Sequence, residues 1–155
     1  MNATAFYGSS VGMQTPFFTA IITSAQTMSG WTVIHFNSVT KDTLGAFNTS
    51  TYQYQPAIAG YYYCTAMVTA ASPNSLYYVN IHKNGSETAG IGAYPGVGGG
   101  YLSTSIQVAG ILYLNGTSDY IDCRANANGS VGVYDVGANK AYVNRFSAFL
   151  LHAGS

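Results

Sequence analysis

Short runs rich in Tyr, Val, Ile, Thr and Phe, cut by Gly, Asn, Ser and Pro, recur along this whole chain, and no window accommodates a capped amphipathic helix of ten or more residues. That pattern restricts the chain to strands joined by turns. The strands read as Phe17–Ser24, Thr32–Val39, Tyr52–Pro56, Tyr61–Ala70, Leu76–Lys83, Thr88–Tyr94, Leu102–Leu114, Tyr120–Ala125, Ser130–Val136 and Tyr142–His152. Turns are marked by Ser72-Pro73-Asn74, Lys83-Asn84-Gly85, Asn115-Gly116 and Asn128-Gly129, where Asn and Gly adopt positive φ at little cost. Many short strands with such turns imply a sandwich or jelly roll. Successive side chains on a strand point to opposite faces, so Tyr61-Tyr62-Tyr63 must send rings both into the core and out of it. By the same alternation Tyr62 shares a face with Cys64, and Ile121 with Cys123. Both thiols are expected inside the sandwich, free and buried, because two cysteines make no disulfide framework.

At 155 residues the chain suits one domain able to bury a proper core, with neither repeat nor linker to mark a second. Charged residues are only 6%, against about 25% in ordinary domains, and five basic residues balance five acidic ones. No basic stripe exists to displace counterions, which excludes nucleic acid as a partner. No apolar run is long enough for a membrane helix, so membrane insertion is not expected. A chain with so little charge risks self-association unless its surface is occupied, so much of that surface is expected to lie against copies of itself or a larger assembly. No basic-then-apolar leader is visible, and Met1 favours synthesis and assembly in a cytoplasm over a leader already removed.

The ordered series Val33-Ile34-His35-Phe36-Asn37-Ser38-Val39, Asp42, Gly45-Ala46-Phe47-Asn48, Tyr52-Gln53-Tyr54-Gln55-Pro56 and Gly60-Tyr61-Tyr62-Tyr63-Cys64, answered by Phe146-Ser147-Ala148-Phe149-Leu150-Leu151, resembles the globular head of the C1q/TNF superfamily. The resemblance spans residues 17–152, and Gly60-x-Tyr62 and Phe146-Ser147-x-Phe149-Leu150 are its more specific parts. Asn80-Ile81-His82-Lys83-Asn84-Gly85 is similar to the family's hairpin ending in Lys-Asn-Gly. The resemblance implies an all-β, ten-stranded jelly-roll sandwich that assembles as a homotrimer, binds partners and is not an enzyme. It also implies a core domain over residues 17–155, preceded by residues 1–16. Those first residues are uncharged and carry Phe6, Tyr7, Val11 and Met13, so they read either as a frayed end or as an arm that orders against a partner.

Heads of this low-charge, Asn/Ser/Thr/Tyr-rich kind resemble those found on phage surfaces. The expectation that follows is a virion surface protein made in the host cytoplasm, a trimeric capsid decoration protein docking on capsid proteins through its arm. Its rivals are a tail-fibre tip, set among tail proteins, that recognises a host glycan, and a cell- or spore-surface recognition module. The candidate binding loop is Tyr94, Pro95, Val97 and Tyr101, set in the glycine-rich stretch Gly90–Gly100. No Gly-Lys-Ser/Thr follows that stretch, so it is not a phosphate cradle. His35, His82 and His152 read as core or interface residues, since no second ligand stands at metal spacing. No cofactor is expected. Calcium is a minor alternative through Asp119, Asp122 and Asp135, which form no dedicated loop. Ionisable groups are too few and too scattered to supply a tuned acid–base pair.

Overall fold

The structure, a computed structural model, describes residues 15–71, 77–93, 103–133 and 144–154. Its strands are β1 (Phe17–Ile21), β2 (Gln26–Val33), β3 (Ser38–Asp42), β4 (Phe47–Asn48), β5 (Gln53–Tyr54), β6 (Gly60–Ala71), β7 (Tyr77–Lys83), β8 (Ser86–Ala93), β9 (Ser103–Leu114), β10 (Ile121–Val133) and β11 (Arg145–Ala153). Every pairing is antiparallel. The first sheet runs β3-β1-β11-β6-β9, so the last strand lies in its middle. The second runs β2-β10-β7-β8, with the β4–β5 hairpin joined to the start of β10 through Ile121 and Tyr54. The ends of β10 and β6 pair at Gly132↔Ala71 and Val133↔Ala70, joining the two layers at one end of these strands.

The alternation written in the sequence fills the space between the layers. Phe18, Ala20, Tyr62, Cys64, Ala66, Val68, Phe146 and Ala148 enter from the first sheet. Tyr77, Val79, Ile81, Ile121, Cys123 and Ala125 enter from the second. Phe18 is the hub. It stacks on Tyr54 at 4.3 Å and Phe47 at 4.9 Å and meets Phe146 edge-on at 5.0 Å. Cys64 and Cys123 are buried and unbonded, as their strand positions require.

Among the described residues eleven strands stand where ten were expected, and three local causes account for the difference. The expected strand Thr32–Val39 is two strands in different sheets. Between them Phe36 N–H donates to the Ile34 carbonyl at 3.1 Å, a tight turn that lets the chain cross while burying both Ile34 and Phe36. The expected turn at Asn128-Gly129 is instead a register shift inside β10, which runs unbroken from Ile121 to Val133. The third cause is β4, whose two residues are too few to leave a periodic signal. The Lys83-Asn84-Gly85 hairpin forms as read, with Asn84 and Gly85 at φ 53° and 79° and Lys83 paired with Ser86.

Candidate binding faces

Each sheet has an outward surface, and the two differ in chemistry. On the first sheet, Phe17, Phe149, Tyr63 and Ile111 lie in register across β1, β11, β6 and β9. One row further along, Tyr61 faces Tyr113 across β6 and β9, and Leu151 stands exposed at the β11 bulge. Ile111 is 58% exposed and Tyr61 49%, in a sheet whose other face lines the core. The rings hold one another, Tyr61 on Tyr113 and Tyr63 on Phe149, both at 5.4 Å. Beyond this apolar end the face turns polar through Thr19, Ser147 and Thr65, where Ser147 Oγ donates to Thr19 Oγ1 at 2.8 Å. A recess of about 220 Å³ follows, between Thr65, Met67, Gln107, Arg145 and Ser147.

Gly60 explains how the apolar rows come so close to the bulge. A Cβ there would run into the His152 carbonyl and the Leu150 side chain, so only glycine lets β6 approach β11 at this point. This is the physical content of the Gly60-x-Tyr62 spacing.

On the second sheet the outward residues are polar yet partly sealed. Asp122 pairs with His82, Arg124 with Asn80 and Asn126 with Tyr78 between β10 and β7, while Asn126 also pairs with Trp31 of β2. Asp122 and Asn80 are fully buried although they point away from the core. Both are satisfied. Arg124 grips Asp122 with two hydrogen bonds, Nε to Oδ1 at 2.7 Å and Nη2 to Oδ2 at 2.9 Å. Asn80 Oδ1 accepts from the Thr88 N–H at 3.2 Å, and its amide donates to the Tyr78 hydroxyl at 3.0 Å. Trp31 roofs this layer, edge-on to His82 at 4.8 Å and to Tyr78 at 5.8 Å, and remains 44% exposed.

His82 is held in one tautomer. The Gly85 carbonyl can only accept, so Nδ1 at 3.3 Å carries the proton and Nε2 keeps a bare lone pair. That Nε2 is buried without a hydrogen-bond partner. Burial lowers the His82 pKa below its ordinary value and the Arg124 charge adds to this, against the Gly85 bond and the carboxylates of Asp122 and Glu87. His35 instead stacks on Tyr52 at 4.2 Å, and His152 is exposed at the end of β11.

The carboxylates considered for calcium are engaged elsewhere. Asp119 accepts from Lys83 Nζ at 2.7 Å, Asn84 Nδ2 at 2.7 Å and the Asn115 N–H at 3.0 Å. Burial works against its ionisation, but these three donors outweigh it and hold its pKa below the usual carboxylate value. Asp122 is taken by Arg124, and among the described residues no group of three or more His, Cys, Asp or Glu could hold a metal ion. Asp135 lies outside the described residues, as do the arm residues Phe6, Tyr7, Val11 and Met13 and the loop residues Tyr94, Pro95, Val97 and Tyr101. From Thr15 the chain is already tied to the sheet, since the Thr15 carbonyl accepts from Thr43 Oγ1 and the Pro16 carbonyl from the Leu150 N–H. Sequence pattern alone does not mark Trp31. The signal is present, as this is the chain's single tryptophan, but it falls one residue before the expected strand Thr32–Val39.

The architecture is thus an antiparallel sandwich with its last strand central and a chain crossover between β2 and β3. No family model and no curated protein sequence matches the chain. Solved structures do. The globular domain of zebrafish complement 1qA protein superposes with a TM-score of 0.59 at 14% identity, covering 91% of this chain and all of that one. Murine APRIL gives 0.65 at 11%, covering 89% of this chain and all of its own, and Eiger TNF from S. frugiperda gives 0.64 at 11%, covering 90% and 96%. The fold is the C1q/TNF-like jelly roll. At such identities the likeness is one of architecture, and ligands must be argued from this chain's own faces.

Proposed function

We propose that this C1q/TNF-like head is a non-enzymatic module that assembles as a homotrimer through the outward face of its first sheet. The observation that carries the reading is the row Phe17–Phe149–Tyr63–Ile111 with Tyr61, Tyr113 and Leu151 beside it. Contiguous exposed apolar surface of this kind marks an interaction site. Tyrosine suits such a site, giving area and a hydroxyl for little lost entropy. The scarcity of charge supports the same reading, since a chain with 6% charged residues gains solubility by covering its apolar surface. Mass measurement in solution tests it: a trimer at micromolar concentration is the expected result, and a stable monomer there overturns it.

Within that reading we infer a virion surface role, as a phage capsid decoration protein docked on the shell through residues 1–16. The uncharged arm with Phe6, Tyr7, Val11 and Met13 and the resemblance to phage surface heads support this inference. Deleting residues 1–16 should abolish particle binding while leaving the trimer intact. Imaging that finds the trimers only at the tail tip would favour receptor recognition, and finding them on no particle would favour a cell-surface module.

A further inference from the structure

We propose that the outward face of the second sheet, built on Trp31, Asn126 and Arg124, binds a neutral saccharide. The inference rests on the assembly reading only in that association through the first sheet leaves this opposite face free.

Three properties of the face define the ligand. The first is a fixed aromatic platform. Trp31 is braced edge-on by His82 and Tyr78 at 4.8 and 5.8 Å, so its indole is held in one orientation while 44% of the residue stays open. Such an open ring offers a π-face to the C–H face of a pyranose, and its ordering entropy is already spent in folding. The second is a rim of neutral hydrogen-bonding groups. Asn126 lies directly opposite Trp31 in the ladder, half-buried, and its amide makes no hydrogen bond among the described residues, which leaves it free to donate and accept. Arg124, two pairs further along the ladder opposite Val33 and so on the same face, uses Nε and one Nη2 hydrogen on Asp122 and retains its Nη1 donors. The Asp122 grip fixes the guanidinium plane, so those donors point in a set direction.

The third property is electrostatic. Asp122 cancels the Arg124 charge, and Glu87 of β8 stands in register with His82. A phosphate-bearing chain or nucleobase strand finds no net positive field here, and anionic sugars meet Glu87. A polyol with one apolar face and hydroxyls at its edge matches a flat indole bordered by an amide and a guanidinium. An extended apolar peptide would require a groove, and Trp31 instead lies across β10 against His82 and Tyr78.

Trp31 supplies its own probe. As the single tryptophan among 14 tyrosines, it alone emits when excited at the red edge of the indole band. The assembled protein is titrated at constant pH with gluco-, galacto- and N-acetylglucosamine oligosaccharides. The expected result is a saturable change in Trp31 emission with at least one series. Asn126→Ala should weaken that affinity about tenfold, the loss of one well-placed hydrogen bond, with thermal stability unchanged. Trp31→Phe, read by calorimetry, should weaken it further while keeping a ring against His82 and Tyr78. No saturable response to any of the three series overturns the proposal, as does a response that neither substitution alters. Light scattering on the same samples separates the two readings. A trimer without a sugar response refutes this site alone, and a monomer with one refutes the assembly alone.

Discussion

Ile111 offers the sharpest measure of the assembly face, because it is the most exposed large apolar side chain on it, at 58%. Replacing it with alanine removes three carbons, worth about 2.4 kcal/mol of transfer free energy at about 0.8 kcal/mol per buried CH₂. Only the exposed 58% is newly covered on association, which leaves about 1.4 kcal/mol per protomer. Three symmetry-related copies then lose about 4 kcal/mol per trimer, close to a thousandfold in the association constant. Because a trimer's constant scales with the square of protomer concentration, the midpoint of assembly should rise roughly thirtyfold. The folded protomer should be nearly indifferent, since surface substitutions stay within about 0.5 kcal/mol. Sedimentation velocity across a concentration series measures the first effect, and thermal unfolding of the dilute protomer the second. Leu44→Ala is the control, as Leu44 is 44% exposed but sits in the turn after β3, away from the row. Equal midpoints for wild type and Ile111→Ala, or equal shifts for the two variants, would refute the reasoning.

Gly60→Ala should lower stability by about 1–3 kcal/mol, because its new Cβ meets the His152 carbonyl and Leu150, and the β11 backbone cannot yield cheaply; chemical denaturation measures it, and an unchanged midpoint contradicts the close approach. Burial pushes the Cys64 thiol up to about 12 and raises Cys123 as well, so neither should react with a thiol reagent in the native protein at neutral pH, and both should react once it is unfolded. His82 has a folded pKa depressed below the ordinary 6.5, so the unfolded chain binds its proton more readily. Its contribution is therefore complete above pH 6.5 and is lost as pH falls through the folded value; His82→Gln should flatten this slope in a pH series of melting temperatures, and a slope unaltered by that change would disprove it.

What the sequence disclosed and what it hid divide along a physical line. Long strands whose register is enforced by burial were legible: β6, β9 and β11 each alternate between core and surface, and a one-residue slip would bury Tyr61 and Tyr63 in place of Tyr62 and Cys64. The Asn84-Gly85 hairpin was legible because its backbone needs positive φ twice in succession. The crossing between β2 and β3 was not, because Ile34 and Phe36 keep the two-residue period while the backbone leaves the ladder. Periodicity reports which side chains are buried and is silent on which strand pairs with which. The second-sheet face was hidden for a related reason. Asp122, Asn80 and His82 look like solvent-facing residues on alternating strands, and it takes Arg124 on Asp122, Tyr78 and Thr88 on Asn80 and the Trp31 ring on His82 to enclose them.

The distribution of charge joins the two faces into one design. Asp42 accepts from the Phe47 N–H at 2.7 Å and the Leu44 N–H at 3.2 Å, fixing the turn into β4. Asp119 gathers Lys83, Asn84 and Asn115 at the end of the β7–β8 hairpin, and Asp122 takes Arg124. Most charges that the described residues carry are thus consumed within the fold, and Lys41 and Arg145 are the two among them that make no hydrogen bond or ion pair. Solubility by charge is consequently slight, which makes an uncovered Phe149–Tyr63–Ile111 row costly for an isolated protomer and favours its burial against copies. A charge placed on that row tests the link directly. Tyr63→Lys should leave a soluble, folded monomer, because a lysine can carry its ammonium into water from the open face of a single sandwich but not from a closed interface. A Tyr63→Lys chain that still sediments as a trimer would sever the connection between low charge and assembly.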